Sequence, residues 1–316
     1  MDVETIKKEA WQIRQSMEPV MWVSAPGAKR YDNDYYHNYE YSFVNLSVTG
    51  ENCACRCEHC RGKLLETMVP TTTPEEMEWI LNILVEKKCQ GVLISGGANK
   101  KGEVPLLGFL DNIAWAKEKG LKVIVHSGLL KRSAAVALQE AGVDQVLIDI
   151  IGDERTIREV YHLDRKPSDY LQSMLYCREA GLNVAPHVVI GLHYGKIMGE
   201  FEALEMIKEA EPQAVVMVIL NPTCGTGMEG VTPPAIDEVG KVIATARIMN
   251  PKVPLTLGCA RPPGVYKQEA EIMAVDCGVN AIAYPNQATI EYARSRGLQT
   301  VFTQDCCSLM AIGPVG

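Results

Sequence analysis

From residue 42 onward the chain repeats one hydrophobic pattern. A short apolar run, rich in β-branched residues, ends in Gly, Asn, Asp or Pro and gives way to a segment of helical period. The runs are FVNLSVTG (43–50), GVLISGG (91–97), LKVIVHSG (121–128), QVLIDIIG (145–152), VAPHVVIGL (184–192), AVVMVILNP (214–222), VPLTLGC (253–259) and NAIAYPN (280–286). Their hydrophobicity is nearly continuous rather than alternating, as in strands whose sheet is covered by helices. The helices carry their own punctuation. TPEEMEWILNILVEKK opens with Thr73 as N-cap and Pro74 in the first turn, and LGFLDNIAWAKEKG closes on Gly120. Strand–helix units in this number, over roughly 250 residues, predict an α/β fold of the (β/α)8 TIM-barrel type, with a doubly wound open sheet as the alternative.

The pattern divides the chain into an N-terminal extension (1–41), a barrel (42–302) and a C-terminal tail (303–316). The Tyr-rich stretch KRYDNDYYHNYEY lies in the extension and reads first as packing, with a barrel-end plug or a partner surface as alternatives. After the last helix, QATIEYARSRG, come a short run LQTVFT and the tail QDCCSLMAIGPVG. A formal charge of −8 without a Lys/Arg cluster argues against a nucleic-acid groove or an anionic membrane surface. Met1 leads into a charged amphipathic stretch rather than a secretory core, and no apolar run approaches the roughly 20 residues of a membrane span. The expected location is the cytoplasm, where thiols stay reduced. There, 11 cysteines point to metal or redox chemistry rather than disulfides.

Four of those cysteines fall in CACRCEHC, just after the first predicted strand and so on the C-terminal face where barrel enzymes do chemistry. Cys53, Cys57 and Cys60 form Cys-x3-Cys-x2-Cys. Three thiolates hold three irons of a 4Fe–4S cube and leave the fourth iron open to a small molecule. Cys55 is then either a bystander or a ligand to something else. A zinc knuckle on Cys57 and Cys60 is the competing assignment, but it wants a second pair at similar spacing, and the adjacent Cys306 and Cys307 chelate one tetrahedral ion poorly.

CACRCEHC after strand one resembles the signature of the radical S-adenosylmethionine (SAM) enzymes, which place an aromatic residue just before the last cysteine, here His59. The resemblance implies that SAM's amino and carboxylate groups bind the open iron, and that one-electron reduction of the sulfonium releases a 5′-deoxyadenosyl radical. Other strand tips extend it. SGGANKKG is similar to the family's glycine motif, with Gly96 and Gly97 giving backbone approach to the SAM amino group and Ala98 where the family often has Glu. Ser127 and Asp149 end the third and fourth strands, where acidic residues meet ribose hydroxyls; Asp149 facing a helix is the alternative. Arg165, in YHLDRKPSDY, is placed to meet the SAM carboxylate or to sit on the surface. Ile190 and Gly191, in PHVVIGLHYGK, match the fifth-strand motif against which adenine packs.

The remaining cysteines refine the expectation. Cys224 follows strand six, Cys259 follows strand seven, and Cys306 and Cys307 lie in the tail. If the tail folds back, all four converge at the mouth and supply a second iron–sulfur cluster; two unremarkable tail thiols are the alternative. Cys89, Cys177 and Cys277 read as small core residues. From about residue 40 the chain resembles the biotin-synthase-related branch. Within it, SVTGENCACRCEHCRGK, GGANKKG, PHVVIGLHYGK, LGCARPPG and the cysteine tail are similar to the archaeal-type, two-protein lipoyl synthases. That implies an octanoyl-lysine carrier protein or peptide as substrate, a second radical SAM protein as partner, a ferredoxin- or flavodoxin-type reductant, and a second cluster that gives up sulfur. The longer N-terminal cysteine motif and the Arg-Ser-Ser tail of ordinary bacterial lipoyl synthases are absent from this sequence. Arg261, beside Cys259, is either a cluster ligand of the biotin-synthase kind or the partner of a carboxylate. The competing classes are a rearrangement or cofactor-maturation enzyme of the methylornithine-synthase or hydrogenase-maturation kind, sulfur insertion of the biotin-synthase kind, and a metal-binding module without catalysis.

Overall fold

Each of the eight apolar runs forms a strand in the computed structural model, which describes residues 2–311, with side chains through 309. Residues 312–316 of the expected tail lie outside the described residues. In chain order the structure runs α1 (Val3–Gln15), β1 (Val20–Ser24), a small hairpin of β2 (Asp32–Asn33) and β3 (Tyr36–His37), β4 (Phe43–Ser47) and β5 (Val69–Pro70). Then follow α2 (Pro74–Glu86), β6 (Gly91–Ser95), α3 (Leu110–Glu118), β7 (Lys122–His126), α4 (Arg132–Glu140) and β8 (Gln145–Asp149). Next come α5 (Glu154–Val160), α6 (Pro167–Glu179), β9 (Val184–Ile190), α7 (Glu200–Ala210), β10 (Val215–Ile219) and α8 (Ile236–Met249). The chain finishes with β11 (Leu255–Leu257), α9 (Val265–Asp276), β12 (Ala281–Ala283), α10 (Gln287–Ser295), β13 (Gln299–Thr303) and a 3-10 turn at Cys307–Ala311.

The main sheet is parallel throughout, in the order β13-β1-β12-β11-β10-β9-β8-β7-β6-β4-β5. From β4 to β12, apart from the two-residue β5 on the outer side of β4, spatial order follows chain order without a reversal. A doubly wound sheet reverses at its switch point, so the sheet is of the barrel kind, curled and open between its edges β13 and β5. Helix signals hold locally: Thr73 Oγ1 accepts from the Glu76 N–H at 3.2 Å, and the chain leaves α3 through Gly120 at φ +83°.

The first 41 residues contribute a strand to the sheet instead of only preceding it. β1 lies between β12 and β13, and the buried Arg14 of α1 fixes it there by donating to Val20 O (2.5 Å), Glu18 O (2.8 Å) and Val279 O (3.2 Å). The Tyr-rich stretch packs along the sheet's open side. Tyr36 stacks on Phe302 of β13 at 4.8 Å between centroids, and the Tyr31 hydroxyl donates to Pro285 O at 2.9 Å.

Register decides what faces the lumen. Paired residues in a parallel ladder share a face and the side-chain period is two, so Asn45, Leu93, Ile124 and Gln145 lie on one face. Lys122, His126 and Asp149 share that face by the same period, and Asp149 pairs with His187. These positions stay half-exposed, apart from the buried Ile124 and Gln145, while Val92, Ile94, Val123, Val125, Val146 and Ile148 of the opposite face are buried under helices. The lumen wall from β7 to β9 is therefore polar.

Candidate functional site

The cysteine loop leaves the C-terminal end of β4 and is pinned by backbone. Val48 N donates to Ser95 O at 2.8 Å, Ala54 N to Ala98 O at 2.9 Å, and Glu58 N to Val160 O at 2.8 Å. Gly97 N donates to Thr49 Oγ1 at 2.7 Å. A Cβ on Gly97 would stand 1.9 Å from Asn52 O and 2.6 Å from Cys53 Cα, so only glycine lets the two loops approach this closely. Gly96 is similar in kind, its Cβ position lying 3.0 Å from Thr49 Oγ1. The chain doubles back through left-handed Arg56 and Arg61, and the turn closes with Cys60 N and Arg61 N both on Cys57 O (3.1 and 2.8 Å).

That turn gathers the four thiols into a row. Cys55 lies close enough to Cys53 and Cys57, and Cys57 to Cys60, for each to shift the other's titration. Contact with Cys57, reinforced by His59 and opposed by burial, pulls the Cys60 thiol down to about 4; Cys53 and Cys57 draw Cys55 down to about 3. The thiolate is the ligating form, and within the triad only Cys60 is drawn toward it: contact with Cys55, together with burial, holds the Cys53 and Cys57 thiols up. No group of three or more His, Cys, Asp or Glu side chains among the described residues is arranged to hold a single metal ion. A cube takes its thiolates on separate irons, so this donor set fits a cluster. His59 is enclosed, with its ring 5.1 Å from that of Tyr161, and its Nδ1 is buried without a partner. Such an orphan asks for a ligand atom.

The other expected cofactor contacts fall around the same mouth. Ala98 presents its carbonyl to Ala54 N and to the Cys53 thiol (3.8 Å). Ser127 is buried and donates to Gly128 O at 3.0 Å. Arg165 is half-exposed at the rim, its Nε on Lys101 O at 3.3 Å. Ile190 is buried. Gly191, at φ +79°, donates its N–H to Glu200 Oε1 at 2.8 Å and lies close under Pro234, which would stand 2.7 Å from a Cβ there. Asp149 faces the lumen rather than a helix: the Tyr161 hydroxyl donates to it at 3.1 Å and His126 Nε2 lies 3.4 Å away.

Burial alone would raise Asp149, but His126, with His187 and His59 behind it, holds the carboxyl well below the usual range. In return Asp149 lifts His126 above its ordinary 6.5 against a burial that would lower it, while burial and His126 push His187 down to about 4. The signs follow from linkage. The Asp149 contribution to stability is present above the ordinary carboxylate range and fades as pH falls through its depressed folded value. The His126 contribution is complete below 6.5 and fades as pH rises through its elevated folded value. Asp149→Asn should therefore lower the His126 titration midpoint in an imidazole NMR titration; an unchanged midpoint would refute the pairing.

A second thiol group faces the same lumen. Cys259 follows β11, and the tail after β13 turns inward so that its 3-10 turn packs against β10, β11 and β12. The Cys306 thiol is drawn down to about 7, first by contact with Cys307 and then, against burial, by the Ser308 hydroxyl at 3.3 Å. Cys306 and burial drive Cys307 up. Burial and Cys306 do the same to Cys259, which is open to solvent yet ringed by protein. His59, Tyr161, Asp149 and His126 run together along the lumen, His59 against Tyr161, and Tyr161 and His126 both on Asp149. Cys224, expected to join Cys259, Cys306 and Cys307, sits instead at the rim. Its neighbours are Glu229 and Lys63, and it is exposed. Position at a strand tip fixes the height of a residue, not its direction around the barrel.

Arg261 is a carboxylate partner. Its Nε bonds Glu271 Oε1 at 3.0 Å and its terminal nitrogens reach Glu271 (2.5 Å), Gly258 O (2.6 Å) and Ala283 O (2.6 Å), all buried. The guanidinium is committed to anchoring the loop that carries Cys259. Cys89, Cys177 and Cys277 are buried. Sequence reasoning missed Lys122, His126, Tyr161 and His187. A signal existed, since Lys122 and His126, like Gln145 and Asp149, are polar residues four apart at the two ends of apolar strands, which puts each pair on one face.

No protein-family model matches the chain. It is 26% identical over 261 residues to the biotin synthase of Prochlorococcus marinus subsp. pastoris, an alignment covering 80% of this chain and 76% of the relative. Its fold is similar to that of methylornithine synthase (PylB), with a TM-score of 0.64 at 13% identity, over 95% of this chain and 89% of that one. It is also similar to the FeFe-hydrogenase maturase HydG from Carboxydothermus hydrogenoformans, with a TM-score of 0.65 at 16% identity, over 96% and 73%. At those identities the two structures speak for the fold alone.

Proposed function

We propose that the chain is a radical SAM enzyme of the biotin-synthase-related branch, as its similarity to biotin synthase and its fold support, and that it inserts sulfur into an unactivated C–H bond. Cys53, Cys57 and Cys60 would hold a 4Fe–4S cluster, and that group, when bound with SAM, would supply one-electron cleavage of the sulfonium. The protein's part is to bind, orient and shield. The Gly96–Gly97 peptide lies against the cysteine loop, where the SAM amino group binds. Asp149 takes ribose hydroxyls, Ile190 and Gly191 line the adenine side, and Arg165 at the rim takes the carboxylate. The unpaired His59 Nδ1 gains a partner when the mouth fills.

The observation that carries the sulfur-inserting reading is the second thiol group, Cys259 with Cys306 and Cys307, across the lumen from the first. These three hold a second iron–sulfur cluster as sulfur donor. At its finest, the reading is one component of a two-protein lipoyl synthase acting on an octanoyl-lysine carrier with a second radical SAM protein and a ferredoxin- or flavodoxin-type reductant; the motif set and the cysteine tail support it. His126, Asp149 and His187 favour a second reading, hydrogen abstraction from a compact polar substrate in a rearrangement or maturation reaction, because these lumen-facing groups offer a polar substrate charged and hydrogen-bonding partners that an alkyl chain does not use. Mass spectrometry of an octanoylated carrier peptide after air-free turnover separates them. Added sulfur on the acyl chain is expected. An untouched peptide, with 5′-deoxyadenosine still released, would shift the assignment to the polar substrate.

A further inference from the structure

The tail reaches the lumen by an ion pair that nothing in its local sequence announces. Asp305, 6% exposed, immediately precedes Cys306, and both of its carboxylate oxygens lie 2.7 Å from Lys122 Nζ. Lys122 belongs to β7 and Asp305 follows β13; β1, β12, β11, β10, β9 and β8 lie between them in the sheet. The contact is therefore made through the interior of the curl, not between neighbouring strands. A lysine on the inner face of a sheet is costly unless paired, and the same holds for a carboxylate this enclosed. The remaining anchors of the segment are on the side of β13. Asp305 O accepts from Ser24 Oγ at 2.8 Å, Asp305 N donates to Thr303 Oγ1 at 3.1 Å, and Gln304 Oε1 accepts from Tyr39 N at 2.8 Å. Those contacts fix where the tail departs. Lys122 fixes where it arrives.

We propose that the Lys122–Asp305 ion pair is a latch that draws the tail into the lumen and sets the Cys306 and Cys307 thiols against Cys259. Lys122 is a positioning residue for that thiol group and is not a ligand. The latch is a statement about placement; only its consequence for iron rests on the second-cluster reading above. Its mechanism is electrostatic and steric: a bidentate contact one residue upstream of two adjacent cysteines fixes the backbone from which both thiols project. Once Lys122 is lost, Asp305 is left enclosed and unpaired, so the segment is pushed toward water; once the Asp305 charge is lost, the ion pair no longer draws it in.

The test uses the full chain with Lys122→Met, Asp305→Asn and the conservative Lys122→Arg. Alkylation of cluster-free protein by iodoacetamide, read thiol by thiol by peptide mass spectrometry, should speed up at least about tenfold at Cys306 and Cys307 in the two single losses, because labelling follows the opening equilibrium of the segment. Cys177, buried in α6, and Cys277, buried at the C-terminal end of α9, should stay protected, and Lys122→Arg should label as the parent does. After air-free reconstitution, the single-loss variants should fall from about eight irons toward about four while still cleaving SAM. Unchanged labelling of the tail thiols would overturn the latch. So would a rise at Cys177 and Cys277 alongside them, which would make Lys122 a general stabiliser. A labelling change in a protein whose parent never exceeds about four irons would uphold the latch and refute the second cluster.

Discussion

Alanine at Cys53, Cys57 or Cys60 abolishes reductive cleavage of SAM, whereas Cys55→Ala leaves it standing. The loss should be about a thousandfold or more, larger than the roughly 10- to 100-fold that removal of an outer-shell partner costs, because each thiolate holds an iron of its own. Cys55 is the discriminating control. Its sulfur lies beside Cys53 and Cys57, but it is turned toward the glycine-motif loop, 3.1 Å from Asn99 O. Production of 5′-deoxyadenosine in air-free protein with a low-potential reductant reads the effect. Loss of cleavage in Cys55→Ala as well would mean a different ligand set.

The second large effect is an uncoupling. Cys306→Ala and Cys307→Ala should remove the sulfur-bearing product entirely while 5′-deoxyadenosine continues to form, and the iron content should drop from about eight to about four per chain. Cys224→Ala should not, since Cys224 sits at the rim with Glu229 and Lys63. Retention of sulfur insertion without the tail thiols would leave only the first cluster for chemistry, as the rearrangement reading requires.

Much of this was legible in the chain because it is local. The strand runs, the Thr73 cap and the Cys-x3-Cys-x2-Cys loop are set by neighbours in sequence. What sequence concealed was long-range. VMWVS of β1 is a short run between a charged helix and a Pro/Gly turn, and only its neighbours β12 and β13, some 260 residues later in the chain, make it a strand. β5 is two residues long and exists only by pairing with β4. The lumen wall escaped because an apolar strand with a polar residue at each end still reads as buried; period two and the register turn Lys122, His126 and Asp149 inward. Cys224 and Cys259 look equivalent as strand-tip cysteines, yet the β10–α8 loop carries the first toward the cysteine loop, whereas Arg261, fastened to Glu271, holds the second beside the tail.

The most direct measurement is SAM turnover by the protein purified and reconstituted without air. A brown protein that binds SAM and, on one-electron reduction, releases 5′-deoxyadenosine only when Cys53, Cys57 and Cys60 are all present is the predicted result. A colourless protein carrying zinc on those cysteines, with SAM left intact, would contradict it.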